Sequence, residues 1–82
     1  MVKTDENLPA ARLDARGLKC PEPLMLVRNK VRTMAVGECL EVRATDPTTT
    51  RDLENFCRFM KHELLAADTA NDEFRYLIRK GG

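Results

Sequence analysis

Two prolines, Pro21 and Pro23, constrain the fold of this chain most, because they fix where one helix begins. Proline is favoured in the first turn of a helix, where its missing N–H has no helical partner and its fixed φ suits the helix. Apolar residues follow at helical spacing and Gly37 comes soon after them, so we predict a helix over residues 21–34. The preceding element must therefore end before Gly17, which marks a turn.

The rest of the chain shows strand patterns and one further helix pattern. Asp46 and Pro47 predict the start of a second helix, with Asp46 as its N-cap, that runs to about His62. Asn71 and Asp72 predict a hairpin turn. Period-two alternation and the turn signals predict four strands, at residues 11–15, 39–45, 63 to about 70, and 74–79.

The order strand–helix–strand–helix–strand–strand indicates an α+β fold. We predict a two-layer sandwich with both helices on one face of a four-stranded mixed sheet, and a parallel pairing of the first two strands. Residues 10–82 are predicted to form one domain, and residues 1–9 a flexible N-terminal arm. A chain of 82 residues buries roughly 60% of its unfolded surface, which excludes a second lobe or an enclosed substrate cavity.

Helical spacing also predicts which side chains are buried. The first helix has one apolar stripe, made of Leu24, Val27, Val31 and Met34. The stripe of the second helix consists of Leu53, Phe56, Cys57 and Met60. In the strand between them, Leu40, Val42 and Ala44 are predicted to face the core, and Cys39 the solvent side.

Cys20 is the candidate reactive residue, because it directly precedes Pro21 and therefore lies at the predicted helix N-terminus. Unpaired N–H groups and the helix dipole favour an anion there, so we predict that the pKa of Cys20 falls below the ordinary value of about 8.5. Gly17 gives a flexible approach and Lys19 a nearby positive charge, whereas Glu22 acts slightly against a thiolate.

The residues around Cys20 exclude several kinds of thiol chemistry. There is no second cysteine at the two-residue spacing of thioredoxin-like motifs, and no arrangement with histidine that supports acyl transfer is visible. Three scattered cysteines and one histidine are a poor ligand set for zinc, so we predict no metal and no cofactor. A single ionised thiol can still accept a sulfur atom from a persulfide and pass it on.

Composition limits the partners and the compartment. The 14 basic and 13 acidic residues give a net charge of +1, which provides no general attraction to nucleic acids or anionic membranes. No apolar run approaches the roughly 20 residues of a membrane span. The polar N-terminus does not resemble a signal peptide, and an odd number of cysteines argues against a disulfide framework. We therefore expect a cytoplasmic protein.

Some apolar and basic side chains lie off the predicted core stripes. Met25, Arg28 and Arg32 share an adjoining side of the first helix, and Phe59 lies off the stripe of the second. They form a partner-docking surface in one interpretation. In the other, Met25 and Phe59 pack at the core margin and the arginines are ordinary solvated charges. The residues alone leave both open.

Three runs of the sequence strongly resemble the TusA (SirA/YhhP) sulfur-carrier family: residues 13–23 with the motif Cys20-Pro21-Glu22-Pro23, residues 46–52, and residues 76–82. The resemblance covers nearly the whole chain from about residue 11. It implies a βαβαββ sandwich in which Cys20 carries a persulfide. It also favours docking roles for Met25, Arg28, Asp46 and Phe59.

The resemblance further implies partners. The sulfur would come from a pyridoxal-phosphate-dependent cysteine desulfurase of the IscS type. It would pass to a TusBCD-type complex, and the relay would end in 2-thiolation of the wobble uridine of tRNA. Related members feed molybdenum-cofactor enzymes or sulfur oxidation, so the final acceptor stays open.

Two alternative functions also remain open at the level of sequence. One is a nucleic-acid-binding module that uses Arg28, Lys30 and Arg32, although the near-zero net charge argues against direct nucleic-acid binding. The other is a redox sensor in which Cys20 is oxidised and Cys39 acts as the resolving cysteine.

Overall fold

The computed structural model describes residues 9–81, which form four strands and two helices in the predicted order. The elements are β1 (Pro9–Ala15), α1 (Glu22–Arg32), β2 (Cys39–Ala44), α2 (Thr49–Met60), β3 (Glu63–Ala70) and β4 (Glu73–Arg79). The predicted N-terminal arm lies outside the described residues, except that Pro9 begins β1. None of the helices within residues 9–81 has the length and apolar character needed to cross a membrane.

The strands form one mixed sheet in the order β1-β2-β4-β3. β1 pairs with β2 in parallel, whereas β4 runs antiparallel to both β2 and β3. Both helices contact each other and the sheet, so they lie on the same face. The predicted two-layer α+β fold is confirmed.

The turn between β3 and β4 is the predicted two-residue hairpin. Asn71 and Asp72 have φ values of 53° and 62°, and the flanking residues Ala70 and Glu73 are paired. Two consecutive left-handed residues match the twist of a hairpin, and Asn and Asp tolerate this conformation.

The core lies between the helices and the covered face of the sheet. Leu40, Val42 and Ala44 of β2 are fully buried, as predicted. The predicted helix stripes are buried at Val27, Val31, Met34, Leu53, Phe56 and Cys57, and Leu24 is half-buried. Met60 was wrongly predicted as a core residue: it is 53% exposed and lines a groove between the helices instead.

The prediction that Cys39 faces solvent is also wrong, because its side chain is only 1% exposed. β2 is an inner strand, and Cys39 is paired with Pro9 of β1 on one side and Arg79 of β4 on the other. Cross-strand neighbours project to the same face of a sheet, and a long arginine side chain covers apolar surface beside it. The alternation in sequence cannot show such lateral cover.

The N-cap of α2 differs from the prediction as well. The helix begins at Thr49 with Thr48 at the N-cap, not Asp46. One oxygen of Asp46 accepts hydrogen bonds from the Thr48 N–H and hydroxyl, each at 2.9 Å. Asp46 therefore fixes a turn just before the helix, because its short carboxylate bonds the backbone two residues on.

Replacing Leu40 by Ala tests the position of the core. Because Leu40 is fully buried in an inner strand, the change should lower the free energy of unfolding by about 2–5 kcal/mol. Val36 is 67% exposed, so Val36→Ala is a matched control that should change it by about 0.5 kcal/mol or less. Urea unfolding followed by circular dichroism measures both, and equal effects would contradict this description of the core.

Candidate functional site

Parallel pairing of β1 and β2 brings two loops together at one edge of the sheet. The last residues of the two strands, Ala15 and Ala44, are partners, so the chains that follow both strands leave from the same edge. The Gly17 N–H donates a hydrogen bond of 2.9 Å to Thr45 Oγ1 and ties the loops to each other. Gly17 has a φ of 82°, which glycine adopts without steric cost.

Cys20 lies in the first of these loops, immediately before α1. Two carboxylates hold it, Asp46 from the second loop and Asp52 from the first turn of α2. Its backbone N–H donates to Asp46 Oδ2 at 2.7 Å. Its thiol donates to Asp52 Oδ2 at 3.1 Å. The peptide bond between Cys20 and Pro21 is cis. The residue is exposed, so a second molecule can reach its sulfur.

The prediction of a lowered pKa at Cys20 is wrong, because the structure raises it. The hydrogen bond to Asp52 is the largest cause, followed by partial burial and by the negative charge of Asp52. A weaker contribution from Asp46 acts in the same direction, and the Thr48 side chain opposes it. A carboxylate that accepts the thiol proton stabilises the neutral form and disfavours a thiolate.

The N-terminus of α1 has few backbone N–H groups that could stabilise a thiolate against the effect of these carboxylates. Pro21 is the N-cap and Pro23 lies in the first turn, and neither has an N–H group. The Glu22 N–H donates to the carbonyl of Lys19 at 2.9 Å. The prolines that begin the helix thus remove backbone donors that would otherwise stabilise an anion at Cys20.

Asp46 is the residue that positions this loop. Hydrogen bonds from the Cys20 backbone N–H, and then from Thr48, hold the pKa of Asp46 below its ordinary value. The carboxylate is therefore charged at neutral pH, and it joins the Cys20 loop to the turn that precedes α2.

A largely apolar groove of about 370 Å³ runs between the two helices beside this site. Phe59 is 87% exposed and Met25 is 48% exposed, so both present apolar surface to solvent. The α1–α2 groove is lined by Leu24, Met25, Arg28, Asp52, Asn55, Phe56, Phe59 and Met60. Asp52 also binds the Cys20 thiol, so one residue of the groove lining is in contact with Cys20.

The structure brings together only some of the residues predicted to dock partners. Met25, Arg28 and Phe59 line the α1–α2 groove. Arg32 is exposed on α1 but does not line it, and Asp46 lines a separate cavity. That second cavity is lined by Gly17, Leu18, Lys19, Thr45, Asp46 and Pro47. Within the motif, Lys19, Pro21 and Glu22 are exposed and Pro23 is buried.

Asp52 and Thr48 were not among the predicted site residues. The signal that points to them is topological: the loop before α2 follows the strand that pairs in parallel with β1. Residues at the start of α2 must therefore lie near the residues that follow β1. Asp52 is the acidic residue in the first turn of α2, which places it opposite Cys20.

The sole histidine, His62, contacts the core residue Phe56 and the backbone of Gly81. The His62 ring packs on Phe56 with centroids 5.3 Å apart, and its Nδ1 accepts a hydrogen bond of 2.9 Å from the Gly81 N–H. Burial lowers the pKa of His62, and the charge of Lys80 adds to this effect. Among residues 9–81, no group of three His, Cys, Asp or Glu side chains is placed to hold a metal ion.

Cys39 cannot be the resolving partner of Cys20, which removes that form of the redox-sensor hypothesis. Cys39 begins β2, whereas Cys20 is bonded to Asp46 beyond the other end of the strand. A strand of this length spans roughly 17 Å, while a disulfide requires Cα atoms within about 7 Å of each other.

The chain matches a known protein family. The sequence model of the family described as sulfurtransferase TusA matches residues 11–80. The match covers both helices, three complete strands and most of β1, and it includes Cys20, Asp46 and Asp52. The resemblance inferred from the sequence motifs is confirmed.

Alkylation of the native protein tests the assignment of the reactive thiol. Cys20 is exposed, while Cys39 and Cys57 are 1% and 3% exposed, so iodoacetamide should label Cys20 first. Burial also raises the pKa of Cys57 to about 11, which leaves it protonated at neutral pH. Peptide mass spectrometry after brief labelling, with an unfolded sample as the control, measures each site. Labelling of Cys39 or Cys57 as fast as Cys20 would contradict the site described.

Proposed function

Since this chain belongs to the TusA sulfurtransferase family, we propose that it is a sulfur carrier in which Cys20 holds the transferred sulfur as a persulfide. The family implies a sulfur-carrier or sulfurtransferase role in general. The assignment to Cys20 is supported by one observation above all. Cys20 is the one exposed cysteine of the three, and its thiol contacts Asp52, which lines a groove on the surface.

The proposed transfer needs no cofactor on this chain. The Cys20 sulfur forms a bond to the outer sulfur of the donor's persulfide, and the donor's sulfur–sulfur bond breaks. The electron pair of that bond leaves on the donor's inner sulfur. That sulfur takes up a proton, and Cys20 gives one up. One persulfide and one thiol are consumed and one of each is formed, so there is no net oxidation.

We propose a cysteine desulfurase of the IscS type as the donor and a TusBCD-type complex as the acceptor, with 2-thiolation of the tRNA wobble uridine as the end of the relay. These partners follow from the family resemblance of the motif around Cys20. The same relay would take place in the cytoplasm. Both partners are proteins, which agrees with a carrier sulfur that lies at the surface.

The docking surface proposed for these partners consists of Met25, Arg28, Arg32, Asp46 and Phe59. An exposed aromatic side chain beside a methionine and an arginine is typical of the centre of a protein interface. Three of these residues line the α1–α2 groove, which supports a docking role for the groove. Asp46 lies on the other cavity beside Cys20, where a partner would contact the carboxylate that positions the loop.

Sulfur loading tests the carrier role. Incubation with an IscS-type desulfurase and cysteine should add one sulfur atom, about 32 Da, to the chain as a persulfide. Cys20→Ser should abolish the adduct because it removes the accepting sulfur. Cys39→Ser and Cys57→Ser should retain it. Intact-protein mass spectrometry measures the adduct, and loading of the Cys20→Ser variant would refute the assignment.

A charge reversal in the groove tests the docking surface. Arg28→Glu should slow loading about tenfold, the size of effect expected when one interface residue costs more than about 1 kcal/mol. Arg43→Glu is the matched control, because Arg43 is exposed on the sheet face that the helices leave open. Loading rates at several desulfurase concentrations measure the change, and circular dichroism checks the fold. Equal slowing in both variants would argue against docking in the groove.

A further inference from the structure

We propose that Asp52 is part of the active site and holds the unloaded Cys20 as a neutral thiol until a sulfur donor occupies the α1–α2 groove. This inference rests on the proposed carrier function and deepens it, because it names a second residue that touches the reacting sulfur. Asp52 was absent from the residues that the sequence suggested for the site.

The contact between the two side chains is the first observation. The Cys20 thiol donates to Asp52 Oδ2 across 3.1 Å. A hydrogen bond between the two atoms requires one proton, and that proton lies on the sulfur because a carboxyl group is a much stronger acid than a thiol. A thiolate at the same place would meet the carboxylate with no proton between them. Asp52 therefore favours the neutral thiol by geometry as well as by charge.

The charged groups around the sulfur agree with this role. Asp46 faces the same loop from the segment before α2, and its weaker charge effect has the same sign as that of Asp52. Lys19 lies beside Cys20 in the chain, but its charge acts on Asp46. The Thr48 side chain is the one group that favours the thiolate among those acting on Cys20. Together these groups raise the pKa of Cys20.

The position of Asp52 links the thiol to the docking surface. Its side chain lines the groove together with Met25, Arg28 and Phe59. A partner seated in the groove therefore contacts the carboxylate that accepts the hydrogen bond of the Cys20 thiol. Arg28 makes no ion pair within residues 9–81, so its charge is available to a partner at the same surface.

Such an arrangement protects a carrier that travels between proteins. Peroxides and alkylating agents react with the thiolate, so an exposed cysteine that stays protonated reacts slowly with them. In the complex with the donor, the proton of Cys20 ends on the donor's released sulfur, as in the transfer described above. Asp52 thus governs when the sulfur becomes a nucleophile and does not supply the sulfur or the redox chemistry.

The test compares the wild-type chain with Asp52→Asn, which keeps the size of the side chain and removes its charge. The rate of iodoacetamide alkylation at Cys20 is measured from pH 6 to pH 11 without any partner protein. The wild-type midpoint should lie above that of an ordinary cysteine, and Asp52→Asn should shift it downward. The thiolate fraction at neutral pH should then rise about tenfold for each unit of the shift. The alkylation rate should rise by less, about threefold for each unit, because a thiolate of lower pKa is a weaker nucleophile.

Glu54→Gln is the matched control, since it removes an exposed acid from the same helix and leaves the Cys20 contact intact. It should leave the profile close to that of the wild type. A wild-type midpoint at or below the ordinary value overturns the inference, even if the Asp52→Asn variant fails to fold. An Asp52→Asn profile that matches the wild type overturns it too.

Loading by the desulfurase separates this inference from the proposed function. If Asp52 only stabilises the protonated Cys20 thiol in the unloaded chain, the Asp52→Asn variant should be loaded at least as fast as the wild type at saturating donor. A tenfold slower loading of a folded variant would instead make Asp52 a required base and overturn the inference. If the wild type never loads while the alkylation profiles shift as expected, the carrier function fails and the role of Asp52 stands.

Discussion

The parallel pairing of β1 with β2 is the constraint on which the site depends. It sets the ends of the two strands side by side, at Ala15 and Ala44, so that the Cys20 loop and the start of α2 leave the sheet from one edge. The register is fixed because Leu40, Val42 and Ala44 must face the helices. A slip of one residue would turn these side chains to solvent. The packing of the core thus decides which groups surround the reactive sulfur.

Those groups are carboxylates, and this changes the chemistry expected at a helix tip. The prolines that begin α1 leave few backbone donors near Cys20, while Asp46 and Asp52 bind its N–H and its thiol. A more basic thiol is less ionised at neutral pH, but its thiolate is a stronger nucleophile and a poorer leaving group. Such a sulfur suits a protein that must stay unreactive alone and exchange sulfur only when a partner is bound.

The sequence could predict the features that depend on local spacing. Periodicity indicated all six elements and most of the core, and Asn71 and Asp72 indicated the hairpin turn. The errors concern features set by the tertiary structure. Cys39 is buried in an inner strand that pairs with a strand on each side, and Met60 lines the groove between the helices.

The same limit applies to the candidate site. The motif around Cys20 was sufficient to single out the candidate reactive residue. The raised pKa of its thiol depends on a residue 32 positions further along the chain. The residues at the start of α1 predicted a lowered pKa for Cys20, because that prediction took account only of the helix that follows Cys20. Local rules locate such a site, and long-range contacts set its reactivity.

In the proposed function, Cys20 carries sulfur in transit between two proteins and does not retain it. A chase experiment measures this most directly. The chain is loaded with radioactive sulfur, separated from the donor, and mixed with an unlabelled acceptor complex of the TusBCD type. For a carrier, we predict that the label leaves Cys20 and appears on the acceptor in equal amount. Label that stays on the chain while the acceptor is active with other sulfur donors would contradict it.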